Sequence, residues 1–175
     1  MDNILNLFIK EPEKQFHVRQ ISKVLNKSPT TVSKYLKEFE KKHILKSEKK
    51  LNHLLFKANV ENEKFKQLKL NYNLNLLYDS GLISYLIKEL NYPGAIILFG
   101  SFAKAENMST SDIDLLIISP SKEEINLNKF EERLGHKIQL FIRSKKDIEK
   151  MKEKNKELLN NCINGITLYG FWEVF

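Results

Sequence analysis

Along the first 60 positions the apolar residues change spacing once, and the change divides helices from strands. Residues 3–10 place Ile4, Leu5, Phe8 and Ile9 at the i, i+3, i+4 spacing of one helix face. Pro12 ends that helix, since proline has no amide donor and its ring clashes with the preceding turn. Phe16 and His17 predict a short strand. Residues 18–25 set Val18, Ile21, Val24 and Leu25 on one face, and Asn26-Lys27 predicts a turn. Ser28-Pro29 marks a second helix start, a capping residue followed by proline at the first helical position. This helix runs to about residue 42 and buries Val32, Leu36 and Phe39. The period then shortens: residues 44–48 and 54–57 read as strands, with Lys49, Lys50, Leu51, Asn52 and His53 as a basic loop between them.

The remainder alternates strand and helix. Residues 61–77 carry Phe65, Leu68 and Leu70 in a Lys- and Asn-rich background and predict a linking helix. Asp79-Ser80 is expected to cap a helix over 81–90, and Asn91-Tyr92-Pro93-Gly94 turns the chain into a strand at Ile96, Ile97, Leu98 and Phe99. A short helical segment, 102–105, precedes a second apolar run that ends at Ile118. A loop opens at Pro120-Ser121; helical composition returns over 125–134, a strand over 137–142 and a Lys/Glu-rich helical region over 145–161. Trp172 and Phe175 are expected to cover the core. The fold class is α+β, with a helical N-terminal domain (1–60), a linking helix (61–77) and a small mixed-sheet domain (78–175).

Charge sharpens that division. Residues 1–60 hold 13 Lys/Arg against 6 Asp/Glu, whereas residues 61–175 hold 16 of each, so the whole net charge of +7 lies in the first third. Such asymmetry points to two domains with different partners. The 42% hydrophobic content suffices for a packed core. No run approaches ~18 apolar residues and no signal peptide opens the chain, so a cytoplasmic protein without membrane contact is expected. Cys162 is alone, which excludes an internal disulfide, and His17, His43, His53 and His136 lack metal-ligand spacing.

The densest chemistry is in residues 98–117, LFGSFAKAENMSTSDIDLLI. Strand side chains alternate, so Asp112 and Asp114 share one face while Ile113 and Leu115 turn to a core. Carboxylates ~6–7 Å apart repel by about 2–3 kcal/mol at an effective dielectric near 20. A divalent cation reverses that sign, and Mg²⁺ typically combines one or two carboxylates with substrate phosphates. Gly100 permits close backbone approach. Ser101 is expected to cap the following segment, leaving its amides to hold a phosphate.

Gly100, Ser101, Ala103, Asp112 and Asp114, framed by Phe99, Ser111 and Leu115, resemble the signature of the DNA-polymerase-β-type nucleotidyltransferase superfamily in its minimal branch. The resemblance covers roughly residues 78–175, and Asn164 to Gly170 is similar to that branch's final strand. It implies that Asp112 and Asp114 are catalytic and hold Mg²⁺. It also implies that Gly100 and Ser101 bind a nucleoside triphosphate, ATP in the first instance, and that NMP passes to an acceptor with loss of pyrophosphate. Lys104-Ala105 stands where the family has Arg-Gly; Lys104 keeps the charge for a phosphate but loses the guanidinium fork. Gln139 stands where the family has a third acid, and an amide cannot serve as a general base. Glu131, Glu132 and Asp147 are the nearby alternatives.

Residues 3–60 resemble the winged helix-turn-helix of prokaryotic transcriptional regulators. By that analogy the helix from Ser28 enters the major groove of double-stranded DNA, offering Ser28, Thr30, Thr31, Ser33, Lys34 and Lys37. Lys49, Lys50 and His53 meet backbone phosphates, and the protein is a homodimer. The competing reading of this third is a dimerisation or docking domain with a solvated lysine face. For the whole chain two functions stand. One is a Mg²⁺-dependent nucleotidyltransferase acting on a protein or small-molecule hydroxyl, such as an autoregulating antitoxin that adenylylates a toxin-like partner. The other is a transcriptional regulator whose degenerate nucleotidyltransferase domain senses nucleotide or serves as scaffold.

Overall fold

A computed structural model describes residues 2–50, 53–120 and 124–173. The chain divides into two compact units, Met1–Lys69 and Leu70–Phe175.

The first unit opens with α1 (Asp2–Lys10), β1 (Phe16–His17), α2 (Val18–Leu25) and α3 (Pro29–Lys41). Each start has a local cause. The His17 ring accepts from the Gln20 amide through Nδ1 at 3.1 Å, and Ser28 Oγ accepts from the Thr31 amide at 3.2 Å. Asn26 adopts φ 49° and returns its amide to the Ser22 carbonyl, which closes α2 and makes the tight turn. Ile21, Val32, Leu36, Phe39 and Phe56 are buried to 1% or less. β2 (Leu45–Lys50) and β3 (His53–Ala58) complete a three-stranded antiparallel sheet in the order β1-β3-β2. These strands are longer than the apolar pattern predicts. Lys49 pairs with Leu54 and Lys50 with His53, so all three basic residues expected in a loop stand on paired backbone. Ladder hydrogen bonds do not require apolar side chains, and a strand exposed on both faces leaves no alternation to read. Leu51 and Asn52 of the expected loop lie outside the described residues.

α4 (Glu63–Ser80) extends beyond the expected linking helix and runs directly up to Gly81, at φ +79°, before α5 (Leu82–Glu89). Ser80 Oγ spans the break, donating to the Leu77 carbonyl at 2.6 Å and accepting from the Leu82 amide at 3.1 Å. Then follow β4 (Ala95–Phe99), α6 (Gly100–Ala103), β5 (Ile113–Ile118), α7 (Asn128–Leu134) and β6 (Ile138–Arg143). The chain ends with α8 (Lys145–Lys154), α9 (Lys156–Ile163) and β7 (Ile166–Gly170). The Lys/Glu-rich region is thus two helices. Asn155 leaves helical geometry (φ −145°, ψ 58°) and caps α9 through Leu158.

The sheet order is β6-β5-β4-β7, with β5 and β6 parallel and the other pairs antiparallel. Both faces are buried. Ile96, Leu98, Ile113, Leu115 and Ile117 pack with α5 and α7 residues, while Ala95, Ile97, Phe99, Leu116 and Ile118 pack with Ile148 and Met151 of α8 and Leu159 and Cys162 of α9. Cover on both faces is why β4, and β5 beyond Asp114, read as continuous apolar runs. Trp172 packs against the second cluster; Phe175 lies outside the described residues. No described helix is long and apolar enough to cross a membrane.

Candidate functional site

The sheet register brings the candidate residues to one end. Phe99 pairs with Asp114, and Asp114 with Gln139. Gly100 leaves β4 at φ +70°, and a Cβ added there would stand 2.3 Å from Asp114 Oδ2. Backbone and carboxylate therefore approach as only glycine allows. Asp112 immediately precedes β5. Asp114 is half-buried, and its carboxyl is pushed above the ordinary aspartate range, first by desolvation and then by the Asp112 charge. Gln139 Nε2 donates to Asp112 Oδ2 at 2.5 Å. The amide spends its donor on an acid and introduces no third negative charge. Among the described residues no group of three or more His, Cys, Asp or Glu side chains could hold a metal ion. Two carboxylates beside a glycine cradle nonetheless fit Mg²⁺ when phosphates complete its shell.

Ser101 departs from expectation. It lies within α6, whose N-cap position is Phe99 and whose first turn has no side-chain cap. The glycine starts the turn one residue earlier, so the serine hydroxyl cannot reach back across it. Lys104 is exposed at the C-cap of α6. Ala105 takes φ +56°, the left-handed conformation that favours the glycine expected by resemblance.

The segment from α6 to Asp112 is anchored by groups that periodicity does not reveal. Asn73, buried on α4, donates through Nδ2 to the Phe102 carbonyl at 3.0 Å and to Asn107 Oδ1 at 2.9 Å. Ser111 Oγ accepts from the Met108 amide at 2.8 Å. His136 Nδ1 lies 2.8 Å from the Ser111 carbonyl, and its ring stands edge-on to Phe102 at 4.9 Å and 86°. Two of the three nearby acids have structural partners, and Glu132 is exposed on α7. Glu131 binds Lys137 Nζ at 2.8 Å and the Ile138 amide at 2.9 Å, and both hold its carboxyl below the usual range. Asp147 forms a capping box with Ser144.

On α3, Ser28, Thr30, Thr31, Lys34 and Lys37 are exposed and Ser33 is half-buried. The Ser28 and Thr31 hydroxyls bond each other at 2.8 Å at the helix start, leaving Thr30, Ser33, Lys34 and Lys37 as a stripe along the helix. Ser28→Ala is expected to lower stability by about 1 kcal/mol in urea denaturation. On the wing, Lys49 is exposed, Lys50 pairs with Glu48 at 3.2 Å, and the His53 ring stacks on His17 at 5.8 Å.

A family model described as Polymerase beta, Nucleotidyltransferase matches residues 81–171. A second, described as Penicillinase repressor, matches residues 5–92, so that the two overlap across α5. No curated protein and no solved structure matches the chain.

Proposed function

Because the chain belongs to the polymerase beta nucleotidyltransferase family and to the penicillinase repressor family, we propose that it couples DNA binding to transfer of a nucleotide. The reaction moves NMP, most simply AMP from ATP, to a hydroxyl on a protein or small molecule. A toxin-like protein acceptor, with the repressor-like domain acting on its own operator as a homodimer, joins the two halves in one physiological role. The observation that carries this reading is that the Asp114 carboxylate fills the space a Cβ at Gly100 would take, with the Asp112 charge alongside. Asp112 and Asp114 would hold Mg²⁺, which supplies electrostatic stabilisation of phosphate charge when bound. The Gly100–Ser101 backbone would face the triphosphate, and exposed Lys104 would add a positive charge. Incubation with α-labelled ATP, Mg²⁺ and cell lysate tests it: wild type should label an acceptor and the Asp112→Ala/Asp114→Ala variant should not. Equal labelling by both rejects the site.

DNA binding is carried by α3 and the wing. Lysine–phosphate contacts release counterions, so affinity should fall steeply with salt. Lys34→Glu/Lys37→Glu is expected to weaken duplex binding about 100-fold and to reduce the slope of log K against log salt by about 2. An unchanged slope in a fluorescence-anisotropy titration rejects this face.

The Gln139–Asp112 hydrogen bond supports a second reading, a regulator that binds nucleotide without turnover. Calorimetry separates the two: heat of ATP binding without pyrophosphate release favours the sensor, and release favours the enzyme.

A further inference from the structure

The glycine turn is carried by α6, and a helix of four residues does not sustain itself. Two of its own hydrogen bonds are long. The Gly100 carbonyl accepts from the Lys104 amide at 3.3 Å, and the Phe102 carbonyl accepts from the Ala105 amide at 3.4 Å. The Ser101 carbonyl fares better, accepting from the Glu106 amide at 2.9 Å. No side chain caps the start of α6, and the chain leaves it through Ala105 at φ +56°. The direction of the Gly100 and Ser101 amides therefore depends on anchors outside α6.

Asn73 is such an anchor. It is 1% exposed on α4. Its Nδ2 donates to the Phe102 carbonyl at 3.0 Å, closer than that carbonyl's partner in its own turn, and to Asn107 Oδ1 at 2.9 Å. A primary amide carries two hydrogens. Each has an acceptor here, so the amide plane cannot turn without orphaning a buried group. Asn107 is also buried and lies between α6 and Asp112. The Phe102 ring packs in the same core cluster as Leu77 of α4, together with Leu115 and Ile117. That is the sheet face opposite the aspartates, so Asn73 touches no reacting group. Its reach is through backbone: Phe102 lies two residues beyond Gly100, where Asp114 Oδ2 fills the place of a Cβ.

We propose that Asn73 is a positioning residue for the nucleotide: by pinning the Phe102 carbonyl it sets the direction of the Gly100–Ser101 backbone that faces the triphosphate. This rests on the transfer reading above. A turn already fixed in the free protein loses little conformational freedom when the phosphates arrive, and a loose one loses more.

The test uses the full-length protein and needs no turnover. In calorimetry with Mg²⁺–ATP, Asn73→Leu, which keeps the bulk of the side chain and removes both donors, should bind about 20-fold more weakly than wild type. Asn107→Ala takes away one acceptor and leaves the Phe102 bond, so a loss of about fivefold is expected. The double variant should be no weaker than Asn73→Leu, because both changes act through one amide. Mn²⁺ without nucleotide, titrated by electron paramagnetic resonance, separates positioning from general damage. Its affinity should stay within twofold of wild type in all three variants, since β5 and Gln139, not α6, set the aspartates. Mg²⁺–ATP binding by Asn73→Leu within twofold of wild type overturns the proposal and leaves the transfer reading standing. A parallel loss of Mn²⁺ affinity, or losses that multiply in the double variant, overturns it too. Should Asn73→Leu fail to fold, Asn107→Ala decides, and binding within twofold of wild type rejects the anchor. Absence of Mg²⁺–ATP binding by wild type overturns both readings.

Discussion

Asp114→Asn is expected to abolish nucleotide transfer and, in the metal-free protein, to raise the thermal midpoint of the C-terminal unit. Transfer should drop at least ~100-fold, the order expected when a group addressing transition-state charge is removed. The stability gain follows from linkage. The folded Asp114 carboxyl titrates above its unfolded value because it is desolvated and repelled by Asp112. Such a group favours the fold when protonated, below the unfolded value, and that contribution is lost as pH rises through the folded value. At pH 7 the ionised group is a liability that asparagine removes; in the protonated state, near pH 3, wild type and variant should converge. A rise of about 2 °C at pH 7 is the expected scale for a unit of this size. Calorimetric scans at both pH values without divalent ions read it. A lower midpoint for the variant at pH 7 would reject the repulsion account, whatever happens to transfer.

Gly100→Ala should be nearly as damaging for a different reason. Its Cβ would sit 2.3 Å from Asp114 Oδ2, with the backbone at φ +70°. Either the carboxylate swings away or β4 shifts at the point where it delivers the turn. We expect a loss of about 2–3 kcal/mol and at least ~100-fold weaker binding of Mg²⁺–ATP. Gly135→Ala is the control, since Gly135 has φ +71° but nothing within 4 Å of an added Cβ. It should show only the backbone penalty, about 1 kcal/mol. Denaturation and nucleotide calorimetry on both variants separate conformational strain from close approach. Equal effects would mean that contact with Asp114 contributes nothing.

The parts of this fold written in local chemistry were readable from sequence. Ser28-Pro29 specifies a helix start through one hydroxyl and one ring. The run 95–99 is apolar throughout and 113–118 is broken only by Asp114, as a sheet covered on both faces demands away from its open end. The spacing of Gly100, Asp112 and Asp114 locates a meeting point because β4 and β5 pair antiparallel around it. What escaped reading depends on partners distant in the chain. Lys49 and Lys50 are strand residues only because β3 offers them hydrogen bonds. Asn73 looks like any polar helix residue until the Phe102 carbonyl and Asn107 meet it 29 and 34 positions later. His136 had no metal-ligand spacing to mark it. Its ring nitrogen meets a backbone carbonyl 25 residues upstream, a contact that no periodicity encodes. Ser101 failed as a cap because the glycine before it started the turn early.

β6 lies at one margin of its sheet, with Gln139, Leu140, Phe141 and Ile142 bracketed by Lys137 and Arg143. A marginal strand is a template on which another polypeptide can extend the ladder, and flanking cations oppose such stacking by mutual repulsion. Lys137 shares its charge with Glu131, so Arg143 supplies most of that repulsion, and high ionic strength, which screens it, is expected to favour association along this margin in concentrated solution.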